Sequence, residues 1–276
     1  MKSKEKMLEE RMWRKYNMIA SQIRERHLGK QIQIQKNAYL TIDDGPTKDS
    51  RIKFDILQKK EIPAVWFCIG SEIEKYKDIV ISMIRDGATI ANHSYSHIDF
   101  SANTLHKCFF EIEETDRLID ECYYQAGINR GKKFFRFPFG HRGYVKRINN
   151  FDITPTVKKH ADAIQAFLGK LDYECPNLEG VKYKAYKEII DTNCHDVYWT
   201  YDVMEWVLSN KNNFVDINNI NDILKLMDID MPDKWLGLNS QESEEIILIH
   251  DHCETTKYFE MIIDHLLEKK LKFCLL

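Results

Sequence analysis

From residue 38 onward, short apolar runs alternate with longer segments of helical periodicity, and this alternation limits the possible folds more than any other feature. Strand candidates are 38–42, 64–70, 88–92, 133–138, 196–202 and 245–250, with 272–276 closing the sequence. Helical patterns fill 48–60, 72–86, 103–126, 155–170, 216–228 and 255–270. Strand followed by helix, repeated, is the signature of a parallel sheet with crossover connections. So many units favour a barrel over an open sheet. Residues 171–195 fit the alternation poorly and read as an irregular strand with an inserted loop or short helix beside the barrel rim.

Polar clusters fall at or just past the C-terminal ends of the expected strands: TIDDGP, NHSYSH, RFPFG, YDVMEW and LIHDH. In α/β barrels that rim is where active sites are assembled. Ahead of it, residues 3–27 carry Met7, Trp13, Met18, Ile19 and Ile23 at helical intervals among many charges. They predict an amphipathic helix, so residues 1–37 are expected to be a helical extension and 38–276 the barrel. The helix could pack on the main domain or make a homodimer contact.

The 276 residues are 43% hydrophobic and 30% charged with a net charge of -3, which is ordinary for a globular protein. A nucleic-acid partner is not expected, because no basic surplus or stripe is present. The seven cysteines are scattered without a C-x-x-C pair, which suits free thiols in a reducing compartment. Neither a secretory signal nor a membrane-spanning apolar stretch is visible, so a cytoplasmic location is expected.

Two histidines four apart, His93 and His97, project together if their segment is helical or tightly turned. With Asp44 from another strand end they make a carboxylate and two imidazoles. That donor set suits a divalent, zinc-like ion whose remaining positions are open to water and substrate. Adjacent Asp43 and Asp44 point apart on an extended strand, so two jobs are natural for them. One carboxylate can bind the ion while the other takes a proton from water that the ion acidifies. Taken alone, DDGP would be a plain turn.

His250, at the exit of an apolar strand, is a candidate general acid or a satisfied core histidine. Arg136, between Phe135 and Phe137, keeps its proton and so orients a carboxylate or holds an anion. Asp202 and Glu205 could orient a neighbouring base, and Trp206 could wall a small apolar pocket. A second metal site from Cys194, His195, His252 and Cys253 has no regular ligand spacing behind it.

In order and in type, TIDDGP, HSYSH, RFPFG, DVMEW and LIH resemble the five motifs of the polysaccharide deacetylase (NodB-homology) family, carbohydrate esterase family four. The resemblance covers about residues 38 to 276. It implies a distorted (β/α)7, TIM-like barrel that hydrolyses acetyl groups from N-acetylated sugars with Zn2+ or another divalent ion such as Co2+, Ni2+ or Mn2+. By position it implies Asp43 as catalytic base, Asp44, His93 and His97 as metal ligands, and Arg136 as the residue that positions the base. It further implies the backbone N–H of Phe139 as an oxyanion donor, Trp206 and Leu248 as the lining for the acetyl methyl, and His250 as the general acid. Three departures stand out: Phe139 replaces a frequent Tyr, Glu205 stands where an Asp commonly tunes the acid, and the gap between RFPFG and DVMEW is long.

The expected partner is therefore an N-acetylated carbohydrate, as polymer or precursor. An amidase on a small non-sugar C–N bond, or an inactive carbohydrate-binding relative, are the alternatives. A pure binder would need neither Asp43 nor His250.

Overall fold

A computed structural model describes residues 37–142, 155–178, 194–209, 217, 219–228, 238, 244–269 and 271–276. The expected helix over 3–27 and most of the expected insertion at 171–195 lie outside these residues. The described chain is an α/β structure built on a wholly parallel sheet in the order β3-β2-β1-β5-β4. Its strands are β1 (Asn37–Gly45), β2 (Ala64–Cys68), β3 (Thr89–Asn92), β4 (Tyr201–Asp202) and β5 (Glu245–His250), and β6 (Lys272–Phe273) pairs with the first two residues of β1.

Helices α1 (Ser50–Lys59), α2 (Gly70–Lys75), α3 (Lys77–Arg85), α4 (Leu105–Ala126), α5 (Pro155–Lys170), α6 (Ile220–Asp228) and α7 (Thr256–Glu268) form the crossovers. The longest, α4, is bounded by local chemistry. Thr104 accepts the Lys107 N–H at its start, and Gly127 takes a left-handed conformation with φ 74° at its end.

Alternation along the strands separates two apolar layers. Leu40, Ile42, Trp66, Cys68, Ile90, Ile247 and Ile249 face the helices in the main core. Val65, Phe67, Ala91 and Ile246 face the other way, into an interior cluster with Phe134, Leu178 and Val197. Every residue of β2 is buried, as a central parallel strand covered on both faces requires. Among the described residues, no helix is long and apolar enough to cross a membrane.

Three expected elements come out differently. The pattern at 72–86 divides at Tyr76 into α2 and α3. The run 133–138 forms only isolated parallel bridges, Asn92 with Phe135 and Lys133 with Tyr173, before Pro138, which has no N–H for a ladder. Within 196–202 only Tyr201–Asp202 is a strand. These two segments nevertheless occupy the space between β3 and β5. Arg136 N–H bonds Asn92 O at 3.0 Å, Val197 N–H bonds Phe135 O at 2.8 Å, and Thr200 N–H bonds Ile246 O at 2.9 Å. Among the described residues the named strands therefore form an open sheet, and a few backbone hydrogen bonds cross from β3 through these segments toward β5.

Candidate metal centre and active site

The C-terminal ends of β1, β3 and β5 bring the polar clusters together. β1 pairs continuously with β5 through Asp43, which lies opposite His250. On its other edge the register slips. Asp43 pairs with Phe67 and Gly45 with Cys68, which leaves Asp44 as an extra residue. Asp44 takes φ 68°, so the chain bulges there, and a carboxylate that an extended strand would turn away comes back to the rim.

The histidines converge through a tight turn, the non-helical one of the two routes that their spacing allows. Residues 93–97 form a non-helical loop in which Ser94 (φ 67°) and His97 (φ 54°) are left-handed. Asn92 is buried and its Oδ1 accepts the Ser94 N–H at 2.8 Å, while Glu111 binds the N–H and hydroxyl of Ser96, each at 2.6 Å. The left-handed backbone is thus over-determined from both sides, a pattern typical of functional sites.

His97 Nε2 stands 3.1 Å and His93 Nε2 3.4 Å from the same oxygen, Asp44 Oδ1. Two donors each about 2.0–2.2 Å from one tetrahedral ion stand roughly 3.3–3.6 Å apart, a range that holds the His93 distance and lies just above the His97 one. His93 Nδ1 donates to the backbone carbonyl of Arg136 at 2.9 Å, which leaves the Nε2 lone pair for a ligand. The donor set of one carboxylate and two imidazoles therefore fits a divalent ion.

His252 joins the same carboxylate from β5's exit. Its Nε2 donates to Asp44 Oδ2 at 3.0 Å. Burial alone would raise the Asp44 carboxyl, but the surrounding imidazoles of His252, His93 and His97 hold it well below the usual carboxylate range. The grouping of His252 and Cys253 with Cys194 and His195 does not occur: His195 Nδ1 bonds Tyr173 O at 2.9 Å, and Cys194 Sγ donates to Asp196 O at 3.2 Å.

Asp43 is buried beside this group, with Oδ2 3.6 Å from His93 Nε2. Arg136 fixes its other oxygen: Nη1 donates to Asp43 Oδ1 at 2.7 Å and to Thr41 Oγ1 at 2.8 Å, and Nε donates to Val197 O at 3.1 Å. The guanidinium also lies 4.2 Å from the centroid of the Phe67 ring. Arg136 is thus neither a surface salt bridge nor a free anion site; it orients one carboxylate.

His250 Nδ1 donates to Glu205 Oε1 at 3.1 Å, and the same oxygen accepts the His250 backbone N–H. Burial disfavours the imidazolium, yet Glu205, with Asp202 and Asp44 behind it, pushes His250 up to about 10. Burial pushes the Asp202 carboxyl up to about 6. Asp202, Glu205 and His250 lie close enough to be a second ligand group, but the Nδ1 of His250 is already spent on Glu205.

Asp202 accepts the Met204 N–H at 2.7 Å and the Trp206 indole N–H at 3.4 Å, so it sets the turn that carries Trp206. The Trp206 ring stands 6.4 Å from that of His250. Leu248 is buried on β5, on the same strand face as His250. Phe139, left-handed at φ 58°, lays its ring edge-on to His97 at 4.6 Å. Asp43, Asp44, His93, His97, Arg136, Phe139, Asp202, Glu205, Trp206, Leu248 and His250 therefore lie together at this end of the sheet, whereas Cys194 and His195 do not join them. His252, which the sequence offers only within an irregularly spaced group with Cys194, His195 and Cys253, belongs here instead; its H-x-H spacing with His250 is the signal that points to it.

A polysaccharide deacetylase family model matches residues 30–169. The chitooligosaccharide deacetylase of Rhizobium leguminosarum bv. trifolii is 29% identical over 100 residues, 36% of this chain and 46% of that protein. The chain spans less than half the length of the curated relatives it matches. Among solved structures, a CE4 family pseudoenzyme from Bacillus anthracis superposes with a TM-score of 0.57 at 15% identity, over 87% of this chain and 64% of that one. The peptidoglycan deacetylase PdaC from Bacillus subtilis superposes with a TM-score of 0.54 at 19% identity, over 88% of each chain. The chain shares the distorted barrel fold of these structures.

Proposed function

Since the chain belongs to the polysaccharide deacetylase family, we propose that it is a divalent-metal-dependent hydrolase that removes the N-acetyl group of an acetylated sugar or polysaccharide precursor and releases acetate. The observation that carries this reading is the convergence of His93 and His97 Nε2 on Asp44 Oδ1, next to an Asp43 carboxylate that Arg136 holds separately. Asp44, His93 and His97 would hold the ion, with zinc the ion best suited to the donor set. When bound, such an ion supplies Lewis-acid polarisation of the acyl oxygen and lowers the pKa of water.

The chain's own groups supply the rest. Asp43, with Oδ1 occupied by Arg136, accepts the proton of the attacking water on Oδ2, the oxygen that faces His93. The backbone N–H of Phe139 donates to the oxygen that gains charge as the carbonyl becomes tetrahedral, where stabilisation accelerates the reaction most. Trp206 and Leu248 bound the space for the acetyl methyl. Glu205 keeps His250 charged, and His250 Nε2 protonates the departing amine.

An inactive binding role is disfavoured, because a binder has no use for a buried, oriented base together with a carboxylate-backed acid. The scattered cysteines, with no C-x-x-C pair, support a reducing, cytoplasmic setting. The test is acetate release from a panel of acetylated sugars, nucleotide sugars and peptidoglycan fragments, with metal-loaded and chelator-treated protein. Metal-dependent acetate from a sugar supports the reading. Metal-dependent cleavage confined to non-sugar amides would favour a small-molecule amidase instead.

A further inference from the structure

The two oxygens of Asp44 have different partners. Oδ1 faces His93 and His97, whereas Oδ2 accepts the Nε2–H of His252 at 3.0 Å. His252 is itself rigidly mounted. Its backbone carbonyl accepts Lys53 Nζ at 3.0 Å, the Thr255 hydroxyl at 3.0 Å and the Thr255 N–H at 3.2 Å. The neighbouring Asp251 is fully buried, bonds Lys53 Nζ at 2.7 Å through Oδ1, and binds the Ser50 hydroxyl and the Thr47 N–H through Oδ2. The Asp251 N–H in turn donates to Asp43 O at 2.7 Å. One network therefore ties the DDGPT turn to the HDH segment and aims the His252 ring at Asp44.

Resting on the metal-site reading above, we infer that His252 is a positioning residue of the metal centre, which occupies Asp44 Oδ2 and thereby presents Oδ1 alone to the ion. A carboxylate free at both oxygens can rotate about its Cβ–Cγ bond or bind an ion through both. With Oδ2 held, Asp44 offers one fixed donor and leaves coordination positions for water and substrate. Groups that orient a ligand from behind in this way are typically worth 10–100-fold in metal affinity. The ring also lies beside that of His250, at 5.6 Å, so the residue that fixes the ligand borders the proposed acid as well.

Titration of apo protein with Zn2+ or Co2+ against a competing chelator tests this. His252→Ala is expected to weaken affinity roughly 10–100-fold and to alter the Co2+ visible spectrum. His252→Gln, which keeps an N–H donor at the same reach, is expected to restore most of both. The Lys53 and Thr255 contacts to the His252 carbonyl do not involve the ring, so both variants are expected to keep the parent circular dichroism. Unaltered affinity and spectrum in His252→Ala overturn the inference while leaving the metal site intact. Equal losses in the Ala and Gln variants also overturn it, since the hydrogen bond would then not be the agent. Failure of the parent chain to bind either ion would overturn the metal-site reading itself, and this inference with it.

Discussion

Asp43 and His250 are register partners on adjacent strands, so the proposed base and the proposed acid stand side by side at one level of the sheet. Each is held by its own counter-charge, Arg136 for Asp43 and Glu205 for His250. Asp43→Asn is expected to retain metal while turnover falls about 10²–10⁴-fold, the usual worth of a general base. Asp44→Asn and His93→Ala are expected to lose the metal. Metal content and acetate release, measured on the same samples, check both, and an Asp44→Asn variant with full metal and full rate would sink the ligand assignment.

The acid should show itself in the pH profile. His250 lies above its ordinary value of about 6.5, at about 10 in the metal-free protein. A group raised on folding stabilises the folded state fully below its unfolded value, and that contribution is lost as pH rises through the folded one. The stability of the apo protein is therefore expected to decline as pH approaches 10. Glu205→Gln, which removes the counter-charge of His250, should move the alkaline limb of activity downward. A limb that stays in place in Glu205→Gln would contradict the coupling.

Arg136 and Asp43 form a buried ion pair, with side chains 1% and 4% exposed. Removing one partner of such a pair strands the other charge and costs about 3–5 kcal/mol. Arg136→Met is expected to lose stability of this order in urea denaturation. Arg136→Lys should recover only part of it, because an ammonium cannot reproduce the separate contacts of Nε and Nη1.

Gly45 has no room for a side chain. A Cβ there would lie 2.8 Å from Asp251 Oδ2. That oxygen cannot easily retreat, since Thr47 and Ser50 hold it and Lys53 holds its partner. Gly45→Ala is expected to destabilise the fold by roughly 1–3 kcal/mol and to weaken metal binding, measured by denaturation and ion titration. Parent-like values in both would show that the turn can relax.

The layering was legible because each strand's alternation sorts Leu40 and Ile42 to the helices and Thr41 and Asp43 to the interior. The ligand types at strand ends were legible too, as Asp44 comes from the exit of β1 and both His93 and His97 from that of β3. The backbone that unites them was not. His93 and His97 meet through left-handed residues in a loop, which their spacing does not encode. Lys53 looked like any helical lysine, yet it is fully buried against Asp251, and its partner lies 198 residues away. Long-range polar pairing of that kind has no local period to betray it.

The bulge at Asp44 has a consequence for anyone wishing to move or erase this site. A regular strand would send consecutive carboxylates to opposite faces, so the second acid could never reach the rim that the first one lines. One unpaired residue in β1 is what lets neighbouring positions serve two trades. Deleting that residue should yield a straighter, better-paired strand with no centre to speak of, and transplanting the site to another sheet would require carrying the irregularity along with the side chains.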